Sequence, residues 1–67
     1  MIYQEALKAM KKRIPVKAGG IVYKRINAII FRKTDTREYI QLELQDKKTQ
    51  NSITIVNINQ AEAKDET

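Results

Sequence analysis

The sequence has no cysteine, no histidine and no tryptophan, with one proline, one phenylalanine and two glycines. Each absence excludes something. Without cysteine there is no disulfide framework, and without cysteine or histidine no zinc site of the usual kind. No metal and no cofactor is therefore expected. Without histidine, the commonest acid–base group at neutral pH is missing. No apolar run approaches the roughly 18 residues of a membrane-spanning helix. Met1 to Arg13 lacks the apolar segment of a signal peptide and places its charges after its apolar residues. With the lack of cysteine, these features lead us to expect a cytoplasmic protein with no membrane partner.

At 67 residues the chain makes one small domain. It buries only about 60% of the surface exposed when unfolded. A core of this size contributes about 3–5 kcal/mol of net stability. With disulfides and metals excluded, a well-packed barrel or an oligomer remains.

Before Ile14 the pattern is helical. Tyr3, Leu7, Met10 and Ile14 make one stripe at helical spacing, and Ala6 and Ala9 favour the same state. Glu5 near the start and Lys11, Lys12 and Arg13 near the end suit the helix dipole. Pro15 ends the element, which gives a helix over 3–13. From residue 16 to 58 isoleucine and valine dominate, and strands are expected. Gly19-Gly20 marks a tight turn between a short strand at Val16–Ala18 and a long one from Ile21 to Lys33. Apolar parity changes within the long strand, so a bulge near Lys24–Asn27 is expected to bend it. A strand covered on both faces, with Ile29 and Phe31 under the helix, is the other expectation, and the two are compatible. Glu38–Asp46 alternates with Ile40, Leu42 and Leu44 inward. A polar loop leads to a last strand at Ser52–Ile58 with Ile53 and Ile55 on one face. A turn at Asn57 would re-aim Val56 and Ile58.

The expected fold is mostly β (α+β). An N-terminal helix packs on a bent antiparallel sheet that closes toward a small SH3-like barrel. The single domain covers residues 1–60, and the acidic stretch 61–67 is expected to be a disordered tail that adds little stability. The core should contain Leu7, Met10, Val16, Ile26, Ala28, Ile30, Ile40, Leu42, Leu44, Ile53 and Ile55.

Charge is unevenly placed. Residues 1–33 carry nine basic and one acidic side chain, and residues 34–67 carry four and seven. A cluster at Lys8, Lys11, Lys12, Arg13 and Lys17 continues through Lys24, Arg25, Arg32 and Lys33. Nucleic-acid binding starts from such a footprint, because cations that neutralise phosphates release counterions. Lys11, Lys12, Arg13, Lys24, Arg25 and Arg32 are the candidate phosphate contacts. Tyr39, of outward parity, is the candidate base-stacking group. The competing reading is a solvated surface with snorkelling lysines. Catalysis has less support. Ser52 has no base to activate it and reads as a turn residue, while Glu43 and Asp46 read as an exposed strand position and a loop start. The expectation is a noncatalytic nucleic-acid-binding module. The alternative is a protein adaptor or small homo-oligomer that pairs through an exposed strand edge.

The stretch Lys12-Arg13-Ile14-Pro15-Val16, a helix end running into a Pro-Val strand, resembles the Sm-like RNA chaperone family of bacteria. That family's RNA-site motifs are missing here, so no site residue is carried over. A broader resemblance is to short phage and prophage proteins of Gram-positive bacteria. It rests on Tyr3–Leu7, Gly20–Tyr23, Ile26–Arg32, Glu43–Lys47 and Asn51–Val56. It implies an SH3-like barrel and a mobile-element origin, and no activity.

Overall fold

Helix α1 spans Tyr3–Lys12. At its start the Glu5 carboxylate accepts the Ile2 backbone N–H at 3.0 Å, satisfying a donor that the helix leaves open. At its end Arg13 turns into the left-handed region at φ 56°. There Ile14 N–H bonds the Ala9 carbonyl and Arg13 N–H bonds the Met10 carbonyl, which is the Schellman arrangement. The helix seats on small residues: Ala6 and Ala9 are buried, Met10 packs beside them, and Leu7 is only half-buried. The expected stripe is thus turned by about one position, because alanines let the helix approach the sheet closely.

The computed structural model describes residues 1–64. After the helix come β1 (Val16–Ala18), β2 (Ile21–Tyr23), β3 (Arg25–Lys33), β4 (Glu38–Gln45) and β5 (Ile53–Asn57). A 3-10 turn (Ile58–Gln60) and β6 (Ala61–Ala63) follow. Two three-stranded antiparallel sheets result, ordered β2-β1-β6 and β3-β4-β5. Gly19 and Gly20 both have positive φ, as a two-residue type I′ hairpin turn requires. Only Lys24 separates β2 from β3, so one long strand bends there and serves both sheets.

The two sheets share the bent β2–β3 strand and remain separate ladders. The expected closed barrel does not form: among the described residues β5 and β6 make no ladder, and the 3-10 turn joins them instead. The expected tail also begins too early. Ala61–Ala63 pairs with β1, and Ala61 is buried. Residues 65–67 of that tail lie outside the described residues.

The bend behaves as expected, with a register shift between Ile26 and Ala28 that leaves Asn27 as the bulged residue. Its consequence differs from the expected core. Past the bulge, Ile29 lies opposite Leu42 and Phe31 opposite Ile40, while Ala28 and Ile30 move to the outer face with Glu43 and Gln41. On β5, Val56 lies opposite Leu42 and Thr54 opposite Leu44, so Ile53 and Ile55 point outward and are 47% and 42% exposed. Val56 and Ile58 pack on the core, as a turn at Asn57 implies. The largest fully buried side chains are Ile26, Leu42, Leu44 and Val16. Val16, Leu42 and Leu44 come from β1 and β4, the middle strand of each sheet, which neighbours cover on both sides.

Candidate nucleic-acid interface

The pairing brings separated cations to one end of the molecule. Val16 lies opposite Tyr23 on one side and Ala63 on the other. The Lys64 N–H donates to the Pro15 carbonyl at 2.9 Å, and the Lys24 N–H to the Gln45 carbonyl at 2.8 Å. The end of α1, the corner at Lys24, the start of the β4–β5 loop and the end of β6 therefore lie toward one end of the molecule. Four steps of chain and one strand pairing bound the Arg13-to-Lys24 separation at about 20 Å as an upper limit. The opposite end of α1 is fixed independently, since the Tyr3 ring lies 5.5 Å from that of Phe31, near the far end of β3.

At this pole α1 presents Lys11, Lys12 and Arg13, all exposed, and the corner presents Lys24, exposed, and Arg25, half-buried. The loop adds Lys47 and Lys48, and Lys64 follows β6. These last three escaped sequence reasoning because they belong to the half of the chain with more acids than bases. The available signal was the hairpin itself: an antiparallel β3–β4–β5 arrangement must return the β4–β5 loop to the start of β3. A polar cleft of about 300 Å³ lies between Lys24, Arg25, Gln45, Lys47 and Asn51. Asp46 also borders it, with one carboxylate oxygen turned into its own loop to accept the Lys48 N–H at 2.7 Å.

Gln45 holds this loop in place and is nine-tenths buried. Its Oε1 accepts from Asn27 Nδ2 at 2.8 Å, and its Nε2 donates toward the carbonyls of Thr49, Gln50 and Ser52 at 3.0–3.2 Å. One side chain thus ties the bulge to the lysine-bearing loop.

Arg32 and Tyr39 do not join this pole. They face each other across β3 and β4 near the other end of the ladder, about 20 Å from Arg25 at the usual rise per strand residue. Arg32 Nε donates to Gln41 Oε1 at 2.7 Å. Tyr39 is half-buried rather than freely exposed, and the Arg37 guanidinium lies 5.9 Å from its ring centroid. The Arg37 guanidinium thus lies over one face of the ring expected to stack on a base, at the outer limit of cation–π reach.

The single ion pair among the described residues joins Lys33 to Glu38 at 3.8 Å, and both side chains are more than three-quarters exposed. No three aspartate, glutamate, histidine or cysteine side chains gather as a metal site would need among the described residues. No described helix is long and apolar enough to cross a membrane. No protein-family model, curated protein or solved structure matches the chain.

Proposed function

We propose that the chain is a noncatalytic binding module that holds nucleic acid against its cationic pole. Lys11, Lys12, Arg13, Lys24 and Arg25 would contact phosphates, with Lys47 and Lys48 beside them. One observation carries this reading: none of these side chains forms an ion pair with a carboxylate among the described residues. Cations gathered from three separate segments and left without partners suit a polyanion. The contacts would be to the backbone, so binding would be salt-sensitive and poor in sequence discrimination.

The test is fluorescence anisotropy with labelled single-stranded and duplex oligonucleotides. Five phosphate contacts imply roughly a hundredfold loss of affinity or more between about 50 and 200 mM salt. Reversing Lys11, Lys12 and Arg13 to glutamate should abolish the signal while the fold persists. Absence of binding by the parent chain at low salt would refute the reading.

A second reading, a protein adaptor or homo-oligomer, is favoured by β5. Among the described residues that strand is bonded to β4 on one side only, and it exposes Ile53 and Ile55. A free strand edge with apolar side chains is a template for another strand. Sedimentation at two concentrations tests it, and a monomer at both removes the homo-oligomer.

A further inference from the structure

The far end of the β3–β4 hairpin, away from the cationic end, carries a different kind of surface. A groove of about 520 Å³ runs over Phe31, Arg32, Lys33, Glu38, Tyr39 and Ile40. Its floor is the cross-strand pair Phe31 and Ile40. Phe31 is 66% exposed, which is unusual for the only phenylalanine in so small a chain. The Tyr3 ring packs against it at 5.5 Å with the planes tilted by 55°, so the side chain is braced without being covered. Ile2, next in sequence to Tyr3, is also exposed.

The strand under this patch has an open side. β3 is bonded to β4 alone, and its other edge has no strand partner among the described residues. Such an edge can add an extended segment through backbone hydrogen bonds, with side-chain pockets supplying the selectivity.

The charge around the groove chooses the occupant. Glu38 is paired with Lys33. Arg32 and Arg37 have no carboxylate partner among the described residues, and guanidinium forks match carboxylates bidentately. Asp35 and Arg37, at the hairpin tip, both lie outside the groove lining, and Arg37 borders it through the Tyr39 ring, whose centroid is 5.9 Å from its guanidinium. A second copy is disfavoured, because pairing β3 with itself would bring Arg25, Arg32 and Lys33 of both copies onto one short ribbon. A nucleic acid has no backbone donors and acceptors to continue a β-ladder, and the floor is apolar.

We propose that this groove and the open edge of β3 dock an extended acidic segment of another protein. Its one large apolar side chain would rest on Phe31 and Ile40, while carboxylates at the adjacent positions, which point to the opposite face of the added strand, would meet Arg32, with Arg37 beyond it.

The test is titration of the 15N-labelled protein with synthetic peptides in which glutamate and valine alternate around a central phenylalanine, tyrosine or leucine. The expected result is saturable amide shifts confined to β3 and the facing part of β4. An analogue with lysine for glutamate should bind at least tenfold more weakly. Phe31→Ser should weaken binding at least tenfold, and so should Arg32→Glu with Arg37→Glu, which alters charge and leaves the apolar floor intact. Reversal of Lys11, Lys12 and Arg13 should leave peptide binding unchanged. The proposal is overturned if no acidic peptide binds below about 1 mM, the weak limit of a specific contact. Equal binding of the lysine peptide overturns it too. An oligonucleotide that shifts the same amides would make the groove a nucleic-acid surface, and shifts of those amides on dilution would make it a self-contact.

Discussion

Replacing Gln45 by alanine tests whether one buried amide organises the cationic pole. The side chain has one acceptor and two N–H donors in use, between the bulged Asn27 and the carbonyls of Thr49, Gln50 and Ser52. The two donors are shared among three carbonyls, so the substitution removes about three hydrogen bonds rather than four. At a net 0.5–1.5 kcal/mol each, the loss is about 1.5–4.5 kcal/mol. Loop carbonyls can turn to water, which places the expected value near 2 kcal/mol. For a domain of this size that lowers the melting midpoint by about 8–16 °C. Circular dichroism melts and urea titration measure it.

Gln45→Glu sharpens the test. The carboxylate could still accept from Asn27 but would face the three carbonyls without a donor. It should be at least as destabilising as alanine near neutral pH, and it should recover partly in mild acid, where a protonated carboxyl regains one donor. A drop of less than about 3 °C for the alanine variant would refute the anchor, because it would correspond to less than the net value of one hydrogen bond.

Arg13 occupies a left-handed backbone position that glycine would hold without strain. Arg13→Gly should therefore raise stability by about 1 kcal/mol in a thermal melt while weakening oligonucleotide binding. Leu42→Ala removes a fully buried side chain from the central strand of its sheet, at a cost of about 2–5 kcal/mol. That rivals the whole stability expected of the domain, so the variant should be largely unfolded by circular dichroism at about 25 °C. Truncation after Gln60 strips β6 from β1 and uncovers Val16 and Ala18, and should lower the midpoint by about 8 °C or more. Reversing Lys47 and Lys48 to glutamate should reduce oligonucleotide binding at least tenfold at low salt with little change in the melt.

The elements with local causes were legible in the sequence. Pro15 and the alanine-rich segment mark the helix, Gly19-Gly20 marks the first hairpin, and the parity change marks the bend between Lys24 and Asn27. Matters decided by distant contacts were not. Parity within β5 is relative: it says that Ile53 and Ile55 share a face, but the register against β4 decides which face. That register places Val56 over the core instead. The same holds beyond the bulge, where the placement of Asn27 sends Ile29 inward and Ile30 outward. β6 was the least legible element. Ala61-Glu62-Ala63 has weak strand preference, and the segment is a strand because β1 offers it an edge.

The candidate site was half legible for a related reason. Counting charge along the chain located Lys11 to Arg25 but joined them to Arg32 and Tyr39, which the length of β3 carries away. It missed the lysines that the β4–β5 hairpin returns. Those lysines are the more telling ones. Lys11, Lys12 and Arg13 have a structural reason to be basic, since cations at a helix C-terminus stabilise it by about 0.3–1 kcal/mol each. Their charge would be expected whether or not anything binds. Lys47 and Lys48 sit in a loop with no helix end beside them, and neither forms an ion pair among the described residues. Folding alone gives no account of their sign. Gln45, meanwhile, fixes the loop that carries them beside Lys24 and Arg25. If nucleic acid is the partner, the loop lysines must contribute to affinity without contributing to stability. If the pole is only a helix cap with solvated neighbours, their reversal changes neither.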